Sequence, residues 1–132
     1  MTAHGGRKSE LSKRIAEVRT GLSLTELDQM AEILDIGREQ LAALLDTSAR
    51  ALQRKAESGG RLGPVASDRL SRIKRIYELA THVLGEGDKA SQWLTSVSRG
   101  LGGEIPLEML DTDIGTERVQ QELREIEYGM PL

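Results

Sequence analysis

A short segment near the middle of the chain carries side chains that can read the edges of DNA bases. Arg50, Gln53 and Arg54 recur at helical spacing, and arginine and glutamine form bidentate hydrogen bonds with guanine and adenine. With a turn of about 100° per residue, Arg50 and Arg54 project from the helix side opposite Leu52. The candidate DNA-binding residues are Thr47, Ser48, Arg50, Gln53, Arg54 and Lys55, of which Thr47 or Ser48 is expected to cap the helix.

Patterns that could support catalysis or metal binding are few. Ser71 and Lys74 match a Ser-x-x-Lys nucleophile signature, but they lie in the middle of a long predicted helix without the companion motifs. Glu78 and His82, one helical turn apart, could offer two metal ligands, yet the chain has no Cys and only two His. The sequence therefore predicts no enzyme, no metal and no cofactor.

The composition indicates the class of fold that must position these residues. Aromatic residues make up 2% of the 132 residues and Phe is absent, so the core must consist of Leu, Ile, Val, Ala and Met. This composition favours helices over sheets. The first ten residues lack the apolar stretch of a signal peptide, and the longest apolar run, residues 41–45, is too short to span a bilayer. We therefore expect a soluble all-α protein in the cytoplasm, with no membrane contact.

Charge divides the chain into two parts. Residues 1–84 hold 14 Lys and Arg against 11 Asp and Glu, a net charge of +3, whereas residues 85–132 hold 4 against 10, a net charge of −6. Residues 50–75 alone carry eight basic and two acidic side chains, which suits a polyanion such as nucleic acid. A solvated helix face is the alternative interpretation.

Capping signals and glycines position the predicted helices. Ser23 and Glu26 form a capping box, and Pro64 suits a first helical position. Gly85 and Gly87 mark a domain boundary where the charge changes sign. The predicted units are an N-terminal arm with a short helix (1–20), a helix-turn-helix DNA-binding domain (21–84) and a second helical domain (85–132). Within them, residues 1–10 form a polar arm, and helices cover 11–19, 24–36, 38–45, 49–57, 64–84, 88–98 and a segment beginning at Thr112 or Asp113, with a helical turn from Pro106 to Leu110.

Residues 41–54 have the layout of a helix-turn-helix. The small Ala42 lets two helices approach closely, and the second helix presents its polar face to a major groove. Asp46 stands where such turns often contain Gly, although Asp tolerates positive φ. An ordinary helical hairpin with a basic face is the alternative.

The second part carries more large apolar residues than a 48-residue segment can easily bury. Trp93 is a candidate core anchor, and several others surround a glycine-rich turn. Either this part docks on the first or it binds a partner, and both alternatives stand. The residues around the turn are Leu101, Ile105, Leu107, Met109 and Leu110.

Four stretches of the second part form a specific pattern: W-L, then L-G-G-x-x-P-L-x-L-L with Met109 and Leu110 at its last two positions, then G-x-x-R-V, then I-x-x-G. The pattern resembles that of the Xre/MbcA/ParS antitoxin family. With Leu52-Gln53-Arg54 and the loop before Pro64, the resemblance covers residues 22–132. Val97 and Ser98 replace the Pro-Asn that is frequent in the family after the Trp helix, which bears on the shape of that turn.

The resemblance implies a two-part antitoxin encoded beside a RES-domain toxin that consumes NAD. Its helix-turn-helix would bind operator double-stranded DNA and repress its own operon, and its second part, residues 85–132, would suffice to cover the entrance of the toxin's active site. The candidate toxin-binding residues are Trp93, Leu101, Gly102, Gly103, Pro106, Leu107, Leu110, Tyr128, Gly129, Met130, Pro131 and Leu132.

Two further expectations accompany this interpretation. Because one helix reads only a few base pairs, a homodimer on an inverted repeat is expected. Gly129 should end the last helix and Pro131 should prevent its resumption, so that the final residues project as an apolar strip with an anionic tip. The alternative function is that of a free-standing helix-turn-helix transcriptional regulator with a C-terminal dimerisation domain.

Overall fold

Seven α-helices account for most of residues 2–129, which are the residues that the computed structural model describes, with side chains from residue 9 onwards. This part of the chain contains no β-strand, and an isolated bridge pairs Ser98 with Glu104. The predicted all-α class is confirmed. The helices are α1 (Thr2–Thr20), α2 (Leu24–Leu34), α3 (Arg38–Leu44), α4 (Ala49–Glu57), α5 (Pro64–Leu84), α6 (Gly87–Leu94) and α7 (Asp113–Glu127), with 3₁₀ segments at Arg99–Leu101 and Pro106–Asp111.

Local capping explains where the helices begin. The capping box predicted at Ser23 is confirmed: the Ser23 hydroxyl accepts from the Glu26 N–H at 3.1 Å, and the Glu26 carboxylate accepts from the Ser23 N–H at 2.9 Å. Ser48 caps α4 and Thr112 caps α7 in the same manner, through the N–H groups of Ala51 and Gly115. The sequence thus placed both N-caps to within one residue.

Three helix boundaries differ from the prediction by more than one residue. The polar arm predicted for residues 1–10 is wrong for residues 2–10, which continue α1 towards its N-terminus, because extending an existing helix is far easier than nucleating one. Helix α2 ends at Leu34, since Asp35 adopts the left-handed conformation with φ of 55°. Helix α6 ends at Leu94 rather than residue 98, and Val97 is exposed.

One hydrophobic cluster runs through both parts of the chain. It joins Leu27, Leu41 and Leu52 of the first part to Leu94 and Leu123 of the second, all of which are at most 1% exposed. Helix α5 packs against α1, α6 and α7. The second part therefore docks on the first, which decides between the two alternatives that the sequence left open for its apolar residues.

Candidate functional site

Helices α3 and α4 form a helix-turn-helix around a tight, well-bonded turn. Ala42 and Leu45 are fully buried, and the N–H of Thr47 donates to the Ala42 carbonyl at 3.0 Å. Asp46 has φ of 60°, which is the left-handed conformation that Asp tolerates better than most residues. The turn therefore keeps its geometry without the glycine that is common at this position.

The exposed face of α4 carries four of the six candidate DNA-binding residues. Leu52 faces the core at 1% exposure, whereas Arg50, Gln53, Arg54 and Lys55 are exposed. The two arginines are free of salt bridges within the described residues, while the Gln53 amide donates to Glu57 at 3.3 Å. This face presents donors that match guanine edges or phosphates.

The other two candidates, Thr47 and Ser48, lie at the start of α4, where they form part of the turn and the N-cap. The Ser48 hydroxyl accepts from the Ala51 N–H at 3.1 Å, and Thr47 is half-buried. The capped N-terminus of α4 has the positive end of the helix dipole, which favours a phosphate in its vicinity. Their placement is thus beside the exposed face rather than on it.

Half of the basic cluster at residues 50–75 is committed to internal contacts, which the sequence did not reveal. Arg61 donates to the Gly21 carbonyl at 3.0 Å, Arg69 to the Leu44 carbonyl at 3.4 Å and Arg72 to the Leu110 carbonyl at 2.9 Å. Lys74 pairs with Glu26 at 3.2 Å. The four cations of the cluster without such a contact are Arg50, Arg54, Lys55 and Arg75; all four are exposed, as is Arg61.

Glu26 combines two roles at the start of α2. Burial raises the pKa of its carboxyl group. The hydrogen bond from the Ser23 N–H and the contact with the Lys74 ammonium lower the pKa by more than burial raises it, so that the pKa lies below its ordinary value. Glu26 therefore stays ionised while it caps α2 and ties that helix to α5. This contact attaches α2, the helix that precedes the helix-turn-helix, to the long helix α5.

Four of the twelve candidate toxin-binding residues are buried in the interior of the second part. Leu101, Leu107 and Leu110 are 6%, 3% and 2% exposed, and Pro106 is buried. Trp93 is half-buried and packs against the same core. In this arrangement these side chains help to hold the second part on α5.

The candidates that do lie on the surface occupy two places. Gly102 and Gly103 follow the first 3₁₀ segment with positive φ, and both are exposed. Tyr128, 74% exposed, and Gly129 follow α7, and Gly129 has φ of 65°, which agrees with the predicted end of that helix. Met130, Pro131 and Leu132 lie outside the described residues.

The sequence did not reveal an ion pair in the second part between the buried carboxylate of Glu122 and the partly exposed guanidinium of Arg118. Glu122 is 2% exposed, and its Oε1 lies 3.5 Å from Nη2 of Arg118, which also donates to the Gly100 carbonyl at 2.6 Å. The signal that could have revealed it is the i, i+4 spacing of opposite charges on α7, where Glu122 falls beside Leu123 on the inward side. The pair ties α7 to the glycine-rich turn.

Neither a metal site nor a membrane span emerges from the described part of the chain. No group of three or more His, Cys, Asp or Glu is placed to hold an ion among residues 9–129. His82, which the sequence paired with Glu78, lies 3.1 Å from Glu127 instead. Within residues 2–129, no helix combines the length and the apolar character needed to cross a bilayer.

The fold and the two regions define an all-α binding protein with an N-terminal helix-turn-helix, and comparison with known families agrees. Residues 13–75 match the family model described as the antitoxin Xre-like helix-turn-helix domain. Residues 79–129 match the antitoxin Xre/MbcA/ParS C-terminal toxin-binding domain. The two matches meet within α5, the helix that supports both regions.

Curated relatives carry the same description over nearly the whole chain. The chain is 31% identical to the antitoxin Xre of Pseudomonas putida over 123 residues, which cover 93% of this chain and 74% of that protein. It is 29% identical to the antitoxin Xre of Photorhabdus laumondii over 116 residues, 87% of this chain and 78% of the relative. For the antitoxin Xre of Yersinia enterocolitica the identity is 26% over 118 residues, 88% and 79% of the two chains.

The chain therefore belongs to the Xre/MbcA/ParS family of antitoxins, as its sequence pattern predicted. Its helix-turn-helix domain is followed by a toxin-binding domain, which implies DNA and a toxin as partners. The family is one of binding proteins rather than enzymes, and the prediction that the chain is not an enzyme is confirmed on this ground.

Proposed function

We propose that this antitoxin masks the active site of a RES-domain toxin that consumes NAD, and that it represses its own operon by binding operator DNA. The observation that carries the proposal is the union, in one chain and on one core, of an exposed basic recognition helix and a toxin-binding domain of opposite charge. All chemistry belongs to the toxin. The antitoxin acts by occupying space at the toxin's active site.

Charge complementarity supports an interaction with a nucleotide-consuming enzyme. Residues 85–132 have a net charge of −6, and eight of their acidic residues are exposed. A toxin that binds nucleotide phosphates needs cationic side chains, which an acidic inhibitor surface can pair with in place of the substrate. The exposed acidic residues are Glu86, Asp88, Glu104, Glu108, Asp111, Asp113, Glu117 and Glu127.

Two surface features are proposed as toxin contacts. The turn at Gly102 and Gly103 exposes main chain with no side chain in the way, so a partner can approach closely. The end of α7 presents Tyr128, and we propose that residues 129–132 enter the active-site cleft of the toxin. The buried candidates around Leu107 contribute by fixing the shape of this surface.

On the operator, we propose that Arg50 and Arg54 contact DNA while Gln53 reads a base edge. Helix α4 has nine residues, and only three or four side chains of one such helix reach base edges. A homodimer on an inverted repeat doubles the contact, and we propose this arrangement for the repressor. Because the proposed operator DNA lies in the cytoplasm, we propose that the protein acts there.

Coexpression with the neighbouring reading frame tests the proposal. The full-length chain should copurify with a RES-domain product and restore growth to cells that express the toxin. Cells with the toxin alone should lose NAD. Removal of residues 129–132 should weaken inhibition while operator binding and helix content, measured by mobility shift and circular dichroism, stay unchanged.

The result would also test the alternative of a free-standing regulator with a C-terminal dimerisation domain. That alternative predicts operator binding by a dimer but no copurifying toxin and no protection of NAD. It further predicts that disruption of the surface at Gly102 and Tyr128 alters dimerisation.

A further inference from the structure

We propose that Arg118 and Glu122 are positioning residues for toxin binding: they fix the glycine-rich turn, residues 98–104, in the conformation that the toxin recognises. The inference rests on the proposed role of the second part of the chain in toxin binding. It concerns two side chains that are not candidates for contact with the toxin. Glu122 is buried, and Arg118 donates a hydrogen bond to the Gly100 carbonyl of the turn.

The contacts of Arg118 place its guanidinium between α7 and the turn. Its Nη2 donates to the Gly100 carbonyl at 2.6 Å and lies 3.5 Å from Oε1 of Glu122. The carboxylate in turn occupies the space above Gly100, because a Cβ at that position would overlap Glu122. One guanidinium, one carboxylate and one missing side chain therefore fit together at a single point of the turn.

The remainder of the turn is closed by its own main chain. The Ser98 N–H donates to the Glu104 carbonyl at 2.9 Å, and the Gly103 N–H donates to the Ser98 carbonyl at 2.8 Å. These bonds make the turn a unit but do not attach it to α7. Together with the buried Leu101, attachment through Gly100 sets the orientation in which Gly102 and Gly103 face outward.

The ion pair is poorly suited to a purely stabilising role. A buried carboxylate is costly to desolvate, and a hydrophobic residue of similar size is often as stable or more so. The contact at 3.5 Å is a long one, and Nη1 of Arg118 is buried without a partner among the described residues. What the pair does provide is direction, because a guanidinium donates to a carbonyl along a fixed line.

The experiment measures toxin affinity and operator affinity of full-length variants by titration calorimetry and mobility shift. Arg118→Lys keeps the charge but loses the planar fork, and Glu122→Gln keeps the shape but loses the charge. We expect each to raise the Kd for the toxin by about tenfold or more, because a loosened turn must be ordered on binding. Operator affinity should not change. Glu125→Gln, the same substitution on α7 at a site whose side chain accepts a hydrogen bond from Gln121, is the matched control.

Amide hydrogen exchange separates positioning from general stability. In Arg118→Lys and Glu122→Gln, the amides of Ser98 and Gly103 should exchange faster, while those of Ile73 and Ile76 in α5 keep their protection. Gly100→Ala should have the same effect as Glu122→Gln, and its effect should be smaller when Glu122 is already replaced by Ala, because the space that the Cβ needs is then free.

The outcomes are distinguishable. If the wild-type chain does not bind the neighbouring toxin, the proposed function fails. If the wild type binds and the Arg118 and Glu122 variants bind equally well with a faster-exchanging turn, the positioning role is overturned. Parallel losses of toxin affinity, operator affinity and α5 protection would make the pair an ordinary element of stability and would equally overturn the proposal.

Discussion

The two binding regions of this antitoxin present their characteristic residues in opposite ways. On α4, Arg50 and Arg54 lie on the surface, and one buried leucine, Leu52, holds the helix in place. In the second part, Leu107 and Leu110 of the family pattern lie in the core, and the exposed residues include Gly102, Gly103 and eight of the ten acids. In the proposed function, DNA recognition thus depends directly on side chains of the motif, whereas toxin recognition depends on a surface whose shape the buried motif residues maintain.

Separation of the two parts would test this comparison most severely. Because Leu94, Leu101 and Leu123 share one cluster with α5, residues 85–132 alone lack the cover for their core. We expect this fragment to lack cooperative thermal unfolding by circular dichroism, and a fragment from residue 64 onwards to regain part of its structure. Cooperative unfolding of the 85–132 fragment would show that the shared core is dispensable and would return inhibition to that segment alone.

A buried residue of the family pattern should affect both functions together. Leu110→Ala removes a side chain that is 2% exposed, and we expect a loss of about 2–5 kcal/mol in the free energy of unfolding. Urea denaturation provides the measurement, with Tyr128→Ala, at an exposed site, as the control. If Leu110→Ala weakens toxin binding at unchanged stability, Leu110 contacts the toxin and does not belong to the core.

Exposed residues of α4 should affect one function alone. Arg50→Ala and Arg54→Ala should each weaken operator binding by about 1–3 kcal/mol if the arginine reads a base, or reduce the salt dependence if it meets a phosphate. Toxin inhibition and thermal stability should not change. Arg124→Ala removes the same charge from an exposed site on α7 and should leave operator binding intact. Wild-type operator affinity in the double α4 variant would refute the assignment.

The smallest expected effect concerns the attachment of α2 to α5. Since the pKa of Glu26 is lowered in the folded protein, its contribution to stability is present above the ordinary glutamate pKa, about 4.3, and is lost as the pH falls through the lower folded value. Glu26→Gln should therefore be less stable than wild type at neutral pH, and the difference should shrink in acid. Melting temperatures across this pH range measure it, with the exposed Glu32→Gln as the control; a constant difference would contradict the interpretation.

Local signals made much of the fold predictable, whereas long-range contacts did not. The capping box at Ser23, the cap before α4 and Pro64 at the start of α5 each depend on a few neighbouring residues, and the sequence contains all of them. The ends of α2 and α6 were less predictable. In α2, for example, the left-handed conformation of Asp35 ends the helix two residues before the predicted end at residue 36. Elements were thus easier to predict than their ends.

The sites show the same division. Exposure of Arg50 and Arg54 followed from helical periodicity with Leu52 as the inner reference. By contrast, Arg72 contacts the carbonyl of Leu110, 38 residues away, and no local pattern distinguishes such an arginine from one that binds DNA. The burial of Leu107 and Leu110 likewise depends on how α5 and α7 meet. Periodicity identifies an inward face, but it does not identify what covers that face.

The central claim, that one core carries two independent binding surfaces, is tested most directly by titration of full-length antitoxin into the purified neighbouring toxin while NAD is followed over time. Wild type and the double variant Arg50→Ala, Arg54→Ala should stop NAD loss at the same near-stoichiometric ratio, although only wild type binds the operator. Undiminished NAD loss at saturating wild-type antitoxin, or inhibition that disappears with the two arginines of α4, would contradict the account.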